Sequence, residues 1–239
     1  MRKLLFNCKD LDACKDICSI SKRFAILLVM MVMVGSKALA RFSEESINGF
    51  KYVLDSDTRT ATLKDYTNKF ATDIVVPESV KAVDGYTYKI TAFGDYCFLD
   101  FENLISITIP SSVTSFGFSC FTGCKSLSSI DIPLSVTSLG DFSFSRSGLT
   151  SIEIPSSVTS IGRGCFESCS GLTSIEIPSS VTSLEAQCFF GCENLSSIDI
   201  PSSVSSIGST CFEYCRRLIS IDIPSSVISI GKECFSGCI

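Results

Sequence analysis

The sequence contains no histidine and no tryptophan. Without imidazole, Ser-His-Asp and Cys-His catalysis are excluded, and so is every zinc site built on a histidine ligand. Without tryptophan, the chain lacks the commonest aromatic platform for sugar rings. Basic charge is scarce too: 20 Lys and Arg stand against 25 Asp and Glu, for a formal net charge of −5 and a pI near 4.9. A nucleic-acid binder presents a basic face, so no nucleic-acid partner is expected. No Walker loop, G-x-S-x-G elbow or carboxylate–imidazole cluster occurs, and catalysis is not expected. Serine and cysteine, by contrast, are abundant, at 42 and 14 of 239 residues.

One long apolar run exists. Phe24 to Val34 is unbroken, preceded by Lys22 and Arg23 and followed by Ala38, Leu39 and Ala40. A basic flank, a short apolar stretch and small residues before a cut are the marks of a secretory signal, here removed after Ala40. The run is shorter than the roughly 17–25 residues that span a bilayer; a buried helix or a single anchor is the alternative. The leader Met1 to Ser21, with Asp10, Asp12 and Asp16, fits a start codon set too far upstream. Cleavage leaves 13 basic and 22 acidic residues and 11 cysteines. The mature chain has no second run of membrane length, and no membrane span is expected in it.

The seven prolines, Pro77, Pro110, Pro133, Pro155, Pro178, Pro201 and Pro224, are spaced 33, 23, 22, 23, 23 and 23 residues apart. Such a period marks a repeat architecture. From Leu104, Leu127, Leu149, Leu172, Leu195 and Leu218 the unit reads L-x-S-I-x-I-P-S-S-V-x-S-I-G-x-x-C-F-x-x-C-x-x. Alternation in Ser-Ile-x-Ile sends both isoleucines to one face of a short strand. Proline stops that ladder, the serine pair turns the chain, and Val-x-Ser-Ile gives a second short strand. The C-F-x-x-C stretch changes the period and predicts one helical or 3₁₀ turn per unit. No unit buries its apolar side alone, so stacking into a solenoid follows.

The expected fold is therefore an α+β repeat solenoid. Residues 1–40 form a signal peptide, 41–69 an amino-terminal β-hairpin cap, 70–103 an extended first repeat with an inserted hairpin turning at Asp84 and Gly85, and 104–239 six repeats. The sequence stops at Cys238 and Ile239 inside a unit, which predicts a truncated record or an edge that meets another chain.

The unit resembles the BspA-like leucine-rich repeats of bacterial surface proteins, from about Ile74 to Cys238. The resemblance implies a leucine-rich-repeat stack and an exported adhesin or interaction module, with host matrix proteins among the ligands of some members. This chain departs from the family pattern in placing Cys where alanine is usual.

Five units carry C-x₃-C: Cys120/Cys124, Cys165/Cys169, Cys188/Cys192, Cys211/Cys215 and Cys234/Cys238. The unit from Leu127 loses both thiols together, to Ser143 and Ser147, which favours a working pair. Cys97 stands opposite Phe101 instead, which favours two independent columns of small buried side chains. An i,i+4 disulfide is strained, and the spacing does not suit zinc. Disulfides and buried fillers both stay open from sequence.

With the isoleucines inward, the residue between them faces out. Down the stack this column reads Thr108, Asp131, Glu153, Glu176, Asp199 and Asp222, beside Ser106, Ser129, Ser151, Ser174, Ser197 and Ser220. A second outer column reads Thr114, Thr137, Thr159, Thr182, Ser205 and Ile228. Strand spacing sets neighbouring carboxylates about 4.8 Å apart, where each pair repels by about 0.9 kcal/mol in water before screening. Two explanations stand: solubility and protection of an open sheet, or a basic partner or divalent cation. Asp131, Glu153, Glu176, Asp199 and Asp222 are the candidate ligand-binding residues. The functional expectation is an exported module that binds a protein ligand, host matrix or another surface protein, and needs no cofactor. A glycan-binding module or a non-binding spacer is the alternative.

Overall fold

The computed structural model describes residues 41–238. The apolar run 24–34 and the expected cleavage after Ala40 lie outside the described residues. From Ser43 onward the chain is one compact unit, built from short strands and turns.

After a first strand, Phe42–Ile47, which borders Phe50–Asp55 in the sheet, an antiparallel hairpin forms, Phe50–Asp55 against Thr60–Tyr66. Alternation puts Tyr52, Leu54, Ala61 and Leu63 inside at 0–1% exposure, as a half-buried ribbon requires. Thr60–Tyr66 then pairs in parallel with Thr87–Phe93, and Thr87–Phe93 with Ser115–Phe116. The hairpin thus feeds straight into the stack. Ser79–Lys81 pairs antiparallel with Thr87–Phe93 across the Asp84–Gly85 turn, where Gly85 has φ +85°. An Arg59 clamp ties that turn to the hairpin. Its guanidinium lies 3.6 Å from the Tyr86 ring centroid and donates to the Tyr88 hydroxyl at 3.0 Å, while Tyr88 donates to Asp84 at 2.6 Å.

Each later unit offers two strands to its neighbours. The second forms two runs: Ser115–Phe116, Ser138–Leu139 and Ser160–Ile161 pair in parallel, as do Ser183–Leu184, Ser206–Ile207 and Ser229–Ile230, with no pairing between the two runs. The first is interrupted. It pairs at Asp73–Val75 with Ser106–Thr108 and at Ser174–Glu176 with Ser197–Asp199, whereas 129–131, 151–153 and 220–222 are irregular. The second serine of each Pro-x-Ser turn bridges units from the side: Ser135, Ser157, Ser180, Ser203 and Ser226 each donate to a valine carbonyl of the preceding unit at 2.5–2.8 Å.

The helical turn expected over C-F-x-x-C does not form, and no helix occurs among the described residues. The fold is a solenoid of short strands and turns, and the α component of the expectation is withdrawn. The reason is a pair of left-handed residues four apart in every unit: Ser119 and Gly123, Phe142 and Arg146, Gly164 and Ser168, Gln187 and Gly191, Thr210 and Tyr214. A left-handed residue breaks a right-handed helix and costs roughly 1–2 kcal/mol when it is not glycine. What offsets this is a ladder between units. Amides of Ser119, Phe121 and Gly123 donate to carbonyls of Asp141, Ser143 and Ser145, and the intervening amides of Thr122 and Cys124 close local turns. The same alternation recurs at Gly164, Phe166 and Ser168 against Ala186, Cys188 and Phe190. Alternate amides that a helix would pair internally are paired with the next unit instead, from Ser119 through Tyr214.

This spacing stacks the phenylalanines. Phe98, Phe121, Phe144, Phe166, Phe189, Phe212 and Phe235 form a continuous column with centroids 5.2–5.7 Å apart and planes within 8° of parallel. Centroids at that distance are offset-stacked, the arrangement aromatic quadrupoles favour. Columns of Leu (Leu127, Leu149, Leu172) and Val (Val136, Val158, Val181) run beside it fully buried.

Phe166→Ala, in the middle of the column, is expected to lower stability by about 3–5 kcal/mol, the usual cost of emptying a buried aromatic site. Ser157→Ala should cost about 1 kcal/mol through its lost bridge, and Ser156→Ala, exposed one residue earlier, less than about 0.5. Urea melts of the three variants check the order.

Candidate binding face

The five candidate carboxylates, Asp131, Glu153, Glu176, Asp199 and Asp222, are all exposed. Their orientation follows from the strand pattern. Ile175 and Ile177 are buried at 5% and 3% on either side of Glu176, and Ile130 and Ile154 are likewise inside. Only Glu176 and Asp199 face each other in strand register. The others follow the same path on irregular backbone, so the column is continuous in sequence and broken in sheet pairing.

The carboxylates line three adjoining shallow grooves. Asp131 and Glu153 border one of about 380 Å³ with Ile132, Leu134 and Pro155. Glu153 and Glu176 border one of about 500 Å³ with Ile152, Ile154 and Pro178. Glu176, Asp199 and Asp222 border a third of about 400 Å³ beside Ser174 and Ser197. Each groove thus combines carboxylates at its edge with aliphatic side chains. None of the five carboxylates is ion-paired among the described residues, whose salt bridges involve Asp65, Asp84, Glu102 and Glu193 instead.

Leu134 and the prolines were not legible as part of this face. The signal for Leu134 was present: it stands where the other repeats have the first serine of the pair, and it is 79% exposed.

The cysteines lie on the opposite, inward side. All eleven described cysteines are free thiols, and all but Cys238 are buried. The second column is held by weak bonds: Cys124, Cys169, Cys192, Cys215 and Cys238 donate from Sγ to carbonyls of Phe98, Phe144, Phe166, Phe189 and Phe212 in the preceding unit at 3.1–3.2 Å. Ser143 and Ser147, buried themselves, meet Cys165 and Cys169 at 3.3 and 3.4 Å. Their joint replacement therefore preserves small, weakly polar filling in both columns. Burial pushes the thiols of Cys124, Cys165 and Cys215 up to about 12 and that of Cys169 to about 11.

Residues 91–219 and 160–239 match the profile described as "BspA type Leucine rich repeat region", with six copies. Among solved structures, a leucine-rich repeat protein of T. pallidum is similar at 28% identity and a TM-score of 0.72, over 82% of this chain and 89% of that one. A leucine rich cell surface protein of Faecalibacterium prausnitzii is similar at 29% identity and 0.68, over 82% of this chain and 52% of that one. A leucine-rich repeat protein of Bacteroides ovatus is similar at 26% identity and 0.61, over 78% and 55%. The chain thus spans about half the length of the latter two. No curated protein matches it.

The thiols should resist alkylation. Thiolate is the reactive form, and a thiol at about 12 is ionised at pH 8 to only about one part in ten thousand. Iodoacetamide should label the buried cysteines only after denaturant is added. In the unfolded chain they ionise near 8.5, so the unfolded state binds fewer protons above that pH and stability should fall as pH rises from about 9 toward 12. Melting temperature measured across this range checks the direction.

Proposed function

Since the chain belongs to the BspA-type leucine-rich repeat family, we propose that it is an exported binding module that holds a protein ligand through its acidic column. The single observation that carries this reading is the run Asp131, Glu153, Glu176, Asp199 and Asp222, exposed and without a compensating cation among the described residues, along three adjoining grooves. Like charges in a line raise the free energy of the unbound face and lower it when cations arrive. Aliphatic walls suit Lys and Arg in particular, whose apolar stems pack on Ile154 and Pro178 while the charged heads reach the carboxylates. A basic segment of a partner protein, including a matrix protein or another surface protein, has this chemistry.

Export rests on the apolar run 24–34 with its basic flank and Ala38–Ala40, and placement at a cell surface on the similarity to the F. prausnitzii cell surface protein. No helix of the described residues is long and apolar enough to cross a membrane. The buried thiols agree with export, since an oxidising environment does not reach them. The face is shallow and wet, with no carboxyl held in a closed apolar pocket to act as a general acid, so we infer no enzymatic role.

The test is binding of the purified protein to immobilised matrix proteins and glycans across a range of salt and calcium. The reading expects saturable binding to a basic protein that weakens at least tenfold between low and high salt. It also expects loss of that binding when all five acidic residues are changed to Lys. Salt-independent binding that survives the reversal would refute the acidic face. Silence across the panel would favour a spacer, and calcium-dependent capture of a glycan would favour the glycan-binding alternative.

A further inference from the structure

In the second strand of the repeat, phenylalanine, leucine or isoleucine is followed by glycine at Gly117, Gly140, Gly162, Gly208 and Gly231, but by Glu185 after Leu184. The glycine is there because two units nearly touch. A Cβ on Gly208 would lie 2.3 Å from the Ala186 nitrogen, and one on Gly162 would lie 2.5 Å from that of Asp141. Glu185 carries a Cβ at that position, so its unit must stand off from the one before it.

The hydrogen bonds record the stand-off. At the neighbouring interfaces the amides of Thr159 and Gly162 donate to Thr137 and Leu139, and those of Ser205 and Gly208 donate to Thr182 and Leu184. The hydroxyls of Thr159 and Ser205 repeat the contact. At Thr182 and Glu185 the equivalent bonds to Thr159 and Ile161 are missing, and the parallel ladder ends at Ile161 and resumes at Ser183. The first strand, unpaired at most interfaces of the stack, is unpaired here as well, between 151–153 and Ser174–Glu176, so neither ladder crosses this interface. At the other interfaces between units from Leu104 onward the second strands stay paired. The Gly140 amide also lacks its bond to Phe116, but Thr137 keeps its own to Thr114, so only the interface before Thr182 loses both bonds and the pairing together. The groove across this gap, about 500 Å³ between Glu153 and Glu176, exceeds its neighbours of about 380 and 400 Å³.

The turn side of the same interface stays closed. Gly164, Phe166 and Ser168 keep their amide bonds to the next unit, Phe166 and Phe189 stack at 5.5 Å and 7°, and Arg163 donates twice to the Gln187 side chain at 3.0 and 2.7 Å.

From these observations we propose that the solenoid has a built-in hinge between the units starting at Leu149 and Leu172. The turn side is the pivot, the sheet side opens, and Glu185 is the residue that holds it open. Bending there changes the separation of Glu153 and Glu176 while the rest of each half moves as a body. Parallel ladders otherwise make such a stack stiff, and one interface without them is where flexing concentrates.

The experiment is residue-resolved amide hydrogen exchange by NMR on the whole chain, in wild type and in Glu185→Gly. In wild type, Thr182 and Glu185 amides should exchange at least tenfold faster than their counterparts Ser205 and Gly208. In Glu185→Gly that difference should vanish, with the melting temperature raised, because the ladder can close. Equal protection of the two pairs in wild type would overturn the hinge. A difference that persists in Glu185→Gly would overturn the role of Glu185. Neither outcome depends on ligand binding, so the acidic-face reading stands or falls separately.

Discussion

Backbone amides on the turn side of each unit have two possible fates, and that constraint organises the molecule. Left-handed residues four apart prevent a helix, so alternate amides cannot be paired within the unit. They are satisfied only by carbonyls of the next unit, at Phe98 to Cys120, Phe121 to Ser143 and Phe189 to Cys211. The period of the sequence, the parallel stacking of the phenylalanines and the burial of the thiols all follow from that pairing. A unit slipped by one residue would lose the amide ladder and the aromatic column together.

The same rigidity gives the acidic column its physical meaning. Side chains fixed on stacked units keep their charges in line at little ordering cost when a partner arrives. In the proposed reading, Asp131, Glu153, Glu176, Asp199 and Asp222 serve as a preset electrostatic surface beside the aliphatic side chains of the same grooves. Glu185 interrupts the stiffness at one interface and does so inside the column, between Glu153 and Glu176. A stack of identical joints would bend evenly, whereas this one concentrates bending at the groove that exceeds its two neighbours along the column.

Much of this was legible in the sequence because a 23-residue period forces side chains into columns. The inward isoleucines, the outward carboxylates and the stacking direction all come from strict alternation in Ser-Ile-x-Ile. The turn conformation was not legible. Cys and Cys four apart around Phe look like one face of a helix, and Tyr96, Thr210 and Tyr214 carry no signature of a positive φ such as glycine gives. Neither was the patchiness of the first strand: Asp131 and Glu176 sit in near-identical local sequences, yet only Glu176 is in a paired strand. That difference arises from how neighbouring units settle, including the one-residue-shorter unit from Leu127, and local sequence does not encode it. Glu185 was visible as a departure from the glycine column, but its consequence required the distance of closest approach.

The central claim is that the stack is held by turn-side amides bonded between units. The most direct test is the free energy of amide exchange for Phe121, Phe144, Phe166 and Phe189, compared with global stability from denaturant melts. The account predicts that these four amides exchange only through global unfolding, with exchange and melting free energies equal within error. Exchange several kcal/mol easier than unfolding, with protection confined to the strands, would show that the turn ladder does not hold the fold and would contradict the account.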